Sequence, residues 1–125
     1  MAENIKIVIV DDNVEFCTGL AAFLKEYDDL SVVAVLNDGN SVVETVEKEN
    51  ADILLLDLVM PVKDGNAAIR EIREFDPRAE IVIVSSVGTQ AQLKAAIKAG
   101  AKDFVQKPLN PKQIHSIISS RFEGR

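Results

Sequence analysis

The sequence predicts an α/β fold: a (βα)5 doubly wound three-layer sandwich around a parallel five-stranded sheet. Three observations predict it. Five short apolar runs are rich in β-branched residues, five stretches of helical apolar spacing alternate with them, and capping residues mark the junctions. Parallel strands joined by right-handed helical crossovers fold into such a sandwich.

The first run is Ile5 to Val10, interrupted only by Lys6, and a stripe of Phe16, Leu20, Phe23, Leu24 and Tyr27 follows it. The second run, Ser31 to Leu36, precedes a stripe of Val42, Val43 and Val46. Ile53 to Leu56 comes third, then Ile69, Ile72 and Phe75, with Asp76-Pro77 as the helix stop. Ile81 to Val84 is fourth, before Leu93, Ala96 and Ile97, with Gly100 placed as a C-terminal cap. The fifth run is only Phe104-Val105; Asn110-Pro111 then reads as N-cap and first turn of a helix carrying Ile114, Ile117 and Ile118. The runs are continuous rather than alternating, as expected of strands covered on both faces.

A chain of 125 residues, 47% apolar, is the size of one domain, expected over 1–125 with a core at about 5–118 and 119–125 as a tail or the start of a linker. The net charge of −6 and the lack of any basic run exclude a nucleic-acid reader in this segment. Cys17 is the single cysteine, so no internal disulfide forms and a reducing compartment fits. Met1-Ala2-Glu3-Asn4 lacks a signal-peptide profile, and the apolar runs are far too short to span a membrane. A cytoplasmic domain without membrane contact is expected.

In doubly wound sheets, ligands bind beyond the carboxyl ends of the strands. Those positions hold Asp11-Asp12-Asn13, Asp57, Ser85-Ser86 and Lys107-Pro108. Each has an ordinary explanation: Asp11 to Asn13 as helix N-caps, Asp57 as a turn residue, Ser85 as a cap, Lys107 as a solvated loop residue. Jointly they suit chemistry better, since chance scatters such groups over both edges. Three close carboxylates repel one another unless a cation compensates, and an all-oxygen set suits Mg²⁺, with Mn²⁺ as a substitute. Zinc lacks a ligand set, with Cys17 and His115 one of each and far apart. No glycine-rich phosphate loop points to a nucleotide. Asp57, ending the central strand, is the best nucleophile for an aspartyl-phosphate, Lys107 a second cation, and Ser85 a hydrogen-bond donor.

The run Ile9-Val10-Asp11-Asp12-Asn13, then Asp57, Met60-Pro61 and Asp64-Gly65, then Val84-Ser85-Ser86, then Gly100-Ala101-Lys102-Asp103-Phe104 and Lys107-Pro108, resembles a response-regulator receiver domain of two-component signalling. Within that family it resembles the chemotaxis single-domain regulators and the receiver of a sporulation regulator. The resemblance covers about Ile5 to Ile118. It implies the flavodoxin-like strand order 2-1-3-4-5 and phosphorylation of Asp57 by a sensor histidine kinase or phosphotransfer protein. It also implies Mg²⁺ on Asp12, Asp57 and the Val59 carbonyl, with Asp11 acting through a water. Ser85 and Lys107 would contact the phosphoryl group, a cis Lys107-Pro108 bond is expected, and Phe104 would be the switch aromatic, although core packing explains it equally. Val59, Ser86 and Val87 occupy positions that tune phosphoryl lifetime, and their character implies slow self-dephosphorylation.

Output is expected through the fourth helix, fifth strand and fifth helix, onto a downstream target protein or a fused output domain, with a phosphorylation-dependent homodimer as one form. A receiver module of a longer DNA-binding regulator is the alternative. An Asp-nucleophile phosphatase is disfavoured because its general acid would stand at Val59, so no turnover enzyme is expected. A phosphorylation-independent relative is disfavoured by the complete Asp11, Asp12, Asp57, Ser85 and Lys107 set. His115 is expected on a solvated face, Cys17 in packing, and the charges at 47–49 and 70–74 on outer helix faces.

Overall fold

Strand side chains alternate between two faces, so a continuous apolar strand needs a cover on each side. The computed structural model, which describes residues 4–57, 65–76, 79–86, 90–107 and 110–121, supplies both covers. Strands β1 (Ile5–Val10), β2 (Leu30–Leu36), β3 (Ile53–Leu56), β4 (Glu80–Ser85) and β5 (Asp103–Gln106) form one parallel sheet in the order β2-β1-β3-β4-β5. They alternate with helices α1 (Val14–Leu24), α2 (Val42–Glu49), α3 (Gly65–Phe75), α4 (Gln90–Ala99) and α5 (Pro111–Arg121).

Val8, Val10, Leu54, Leu56, Ile81 and Ile83 face α2, α3 and α4, meeting Val42, Val46, Ile69, Ile72 and Ala96. Their neighbours Ile7, Ile9, Ile53, Leu55, Val82 and Val84 face the opposite way, onto Cys17, Leu20 and Leu24 of α1 and Ile114 and Ile118 of α5. Each such buried aliphatic contributes about 1.5–3 kcal/mol relative to exposure. β3, whose residues are all buried, is the best-covered strand, while β2 and β5 at the edges are only partly buried.

Junction residues do what their chemistry dictates. Asn13 caps α1, its Oδ1 accepting from Phe16 N at 3.0 Å. Asn110 Oδ1 accepts from Lys112 N at 2.9 Å at the start of α5. After α4, Gly100 takes φ +129°, and Ala101 N donates back to Ala96 O at 3.0 Å, closing the helix.

Four expectations are corrected. Tyr27 lies beyond α1 and belongs to no helical stripe; its ring stacks on His115 at 3.7 Å and meets Phe23 edge-on. His115 is accordingly packed rather than on a solvated face, because an imidazole on an aromatic ring hides most of its surface. Phe75, Leu93 and Ile97 are 44%, 37% and 47% exposed despite their helical spacing. Small Ala96 is the α4 residue that reaches the core, and Leu93 and Ile97 project to one side of it, roughly 60° and 100° round the helix. Arg73 is not an outer-face charge: its Nε and Nη2 donate to the Gly100 carbonyl at 3.0 and 2.8 Å, tying α3 to the end of α4. Among the described residues no helix is long and apolar enough to cross a membrane.

Candidate functional site at the carboxyl edge of the sheet

Parallel register brings the ends of β1, β3, β4 and β5 to one edge. Val10 pairs with Leu56, and Ser85 with Gln106, so Asp11 and Asp57 emerge side by side and Lys107 beside Ser85. Backbone bonds extend the sheet into the site: Asp57 N donates to Val10 O at 2.9 Å and Lys107 N to Ser85 O at 2.9 Å. The chemistry-bearing residues are thus held by the sheet's own hydrogen bonding.

Asp11, Asp57 and Ser85 are buried, whereas Asp12 is exposed. Ser85 Oγ donates to Asp57 Oδ1 at 2.8 Å. Lys107 Nζ donates to Asp11 Oδ2 at 2.6 Å and stands 3.8 Å from Asp57 Oδ2. The ammonium also sits 4.1 Å from the centroid of the Phe16 ring, a cation–π contact. Asp11 Oδ1 accepts from Asn13 N at 2.9 Å, so the Asp11–Asn13 segment is both a helix cap and part of the acidic cluster.

Burial pushes the Asp11 carboxyl above the ordinary carboxylate range, and the hydrogen bond from Lys107 pulls it partway back. The Cys17 thiol is raised to about 11, first by burial and then by the Asp11 charge. Carboxylate oxygens of Asp11, Asp12 and Asp57 lie within 4.8 Å of one another. Among the described residues the Lys107 ammonium meets two of these three carboxylates, Asp11 and Asp57, the two that are desolvated, and all three offer hard oxygen donors. That donor set fits a divalent hard cation such as Mg²⁺.

The response regulator receiver domain family matches residues 7–119 of the chain. This chain is a response regulator receiver domain. It is 32% identical over 114 residues to the chemotaxis protein CheY of Halobacterium salinarum, covering 91% of this chain and 93% of that one. The signal receiver domain of NarL from Mycobacterium tuberculosis superposes with a TM-score of 0.91 at 25% identity, over 99% of this chain and 100% of the other. A chain of the CheX-CheY-BeF3-Mg²⁺ complex of Borrelia burgdorferi gives 0.89 at 29% identity, over 96% of this chain and 90% of that one. Receiver domains are signalling switches of two-component systems and bind Mg²⁺ at an acidic pocket; the Asp11, Asp12 and Asp57 cluster at the carboxyl edge of this sheet is compatible with that role.

The receiver fold brings Asp11, Asp12, Asp57, Ser85 and Lys107 together, as their positions after strands require. Phe104, half-buried, packs against the core on the α4 side, and Ser86 is exposed. Val59 and its carbonyl, Val87, and the Lys107-Pro108 peptide bond lie outside the described residues. Three contributors escaped the sequence reading. Asn37 Nδ2 donates to the Asp11 carbonyl at 3.0 Å, Cys17 Sγ approaches the same oxygen at 3.3 Å, and Phe16 carries the lysine. Asn37 follows β2 directly, so the rule of reading the residue after each strand finds it when applied to all five.

Proposed function

We propose that this receiver is a phosphorylation-activated switch in which Asp57 accepts a phosphoryl group from the phosphohistidine of a sensor histidine kinase or phosphotransfer protein. One observation carries the reading: a buried carboxylate whose two oxygens are addressed by different groups, the Ser85 hydroxyl on Oδ1 and the Lys107 ammonium near Oδ2. In the transfer a new Asp57 O–P bond forms as the donor's N–P bond breaks, and the imidazole leaves with its electron pair. Asp57 is aligned for this by its backbone bond to Val10 and by Ser85, so little is lost to orientation. Lys107 meets charge accumulating on the phosphoryl oxygens, and Ser85 donates to one of them.

Asp11, Asp12 and Asp57 would hold Mg²⁺, whose chemistry is to neutralise the phosphoryl oxygens. The Borrelia complex, which contains beryllofluoride and Mg²⁺, supports both the ion and the phosphoacceptor reading. Phosphorylation replaces the single carboxylate charge of Asp57 with a phosphoryl group carrying roughly −1.5 to −2, redirecting Ser85 and Lys107 from carboxylate to phosphate. That shift biases the surface of α4, β5 and α5, with Phe104 moving into space near Ser85, and so changes affinity for a downstream protein or output domain. The chain then acts as a switch without turnover, as a single domain over 1–125.

Labelled acetyl phosphate or phosphorylated kinase, supplied with Mg²⁺, tests the proposal. Wild type takes up label, Asp57→Asn takes up none, and chelation of Mg²⁺ suppresses uptake. Undiminished labelling of the Asp57→Asn protein overturns the assignment.

A further inference from the structure

α2 and α3 border a groove of about 530 Å³ lined by Val43, Glu44, Glu71, Glu74 and Phe75, continued past Phe75 by a second hollow of about 370 Å³ that reaches Glu47. Phe75 is 44% exposed, an apolar ring standing at the junction of the two. Among the described residues no Lys or Arg lines either hollow, so the trough is acidic, with Val43, Val46 and Phe75 as its large apolar side chains.

The same face of the sheet carries the opposite pattern one helix further on. α4 exposes Leu93 and Ile97, four residues apart, and Lys94 and Lys98 flank them with the same spacing. The helix contains no acidic residue, and its two exposed aliphatics are the large side chains that its packing leaves outside the core. It is a cationic amphipathic helix on the surface, with its apolar stripe exposed.

We propose that this face is self-complementary and that a second copy of this chain occupies the trough: α4 of one copy lies in the α2–α3 groove of the other. Leu93 and Ile97 then cover Phe75, and Lys94 and Lys98 reach Glu44, Glu47 and Glu74. Spacings agree, since residues three or four apart on a helix are separated by about 4.5–6 Å along its axis on both sides of the contact. Because α2, α3 and α4 share one sheet face, a two-fold axis near α3 forms both contacts at once. The dimer is closed and makes no open chain. This inference is independent of the phosphoacceptor reading and concerns the unphosphorylated protein.

Sedimentation equilibrium of the unphosphorylated chain, from about 10 µM to about 1 mM at low ionic strength, reads the association directly. The wild type is expected to dimerise in that range and to dissociate as salt is raised. Lys94→Glu/Lys98→Glu and Glu44→Lys/Glu74→Lys should each weaken self-association by about 10-fold or more. Mixed in equal amounts, the two variants restore both half-contacts and form a heterodimer tighter than either homodimer. Far-ultraviolet circular dichroism and thermal melting establish that both variants fold. A wild type that stays monomeric throughout overturns the proposal, as does self-association indifferent to the reversals or a mixture that fails to associate.

Discussion

Lys107→Met tests the charge balance of the site, because methionine keeps much of the apolar stem while deleting the ammonium and its contact with the Phe16 ring. Lys107 lies 2.6 Å from Asp11 Oδ2, with the two side chains 17% and 2% exposed. At an effective dielectric constant near 20, that pair attracts by on the order of 6 kcal/mol before desolvation is subtracted. Removing one partner of such a buried pair leaves a net loss of about 3 kcal/mol, or about 10 °C in Tm for a domain of this size. The loss depends on pH, with a sign fixed by Asp11. Burial already raises its carboxyl, and Lys107 is the strongest influence lowering it. Without the lysine the folded value climbs further above the unfolded one. The stability associated with the protonated carboxyl is then fully present below about pH 4 and lost as pH rises through the raised folded value. The deficit relative to wild type is therefore small at about pH 4 and full at about pH 7.5. Urea denaturation at both pH values, without divalent ions, measures it. An equal deficit at the two, or none at either, refutes this account of the site.

Other expectations follow from particular contacts. Gly100→Ala places a Cβ 2.7 Å from Arg73 Cγ at φ +129°, and should cost about 1–3 kcal/mol in chemical denaturation; Arg73→Ala removes the clashing side chain together with its two bonds to the Gly100 carbonyl, so the double mutant should lose less than the sum of the two single losses. Cys17, buried with its thiol raised to about 11, should react with a thiol reagent near neutral pH at least about 100-fold more slowly than after unfolding, and equal rates count against its burial. Apolar Val59 and Val87 cannot orient an attacking water, so acetyl-phosphate-loaded protein should lose its phosphate slowly, and a half-life of seconds argues otherwise.

The strands were legible because burial on two faces leaves an unmistakable mark: continuous β-branched runs such as Ile53 to Leu56. The site was legible for a related reason, since Asp11, Asp57, Ser85 and Lys107 each follow a strand and parallel register then forces them together. What stayed hidden was direction. Helical spacing groups Leu93, Ala96 and Ile97 without saying that the small Ala96 faces inward and its larger neighbours outward. Charge pattern likewise put Arg73 on an outer face, because nothing local reports a carbonyl presented by another helix. Tyr27 and His115, 88 positions apart, find each other only in three dimensions.

The guanidinium on Gly100 has a mechanical consequence. A tilt of α4 that preserves those two bonds must turn about its carboxyl-terminal end, where the helix is anchored. Ten residues of helix span about 15 Å, so a rotation of ~10° swings Gln90 by roughly 2–3 Å while Ala99 scarcely stirs. Gln90 is the end that leads back to Ser85. If the proposed switch moves the Ser85 hydroxyl, the Gln90 end of the helix would swing with it while the arginine holds the other end, like a door whose hinge is a guanidinium.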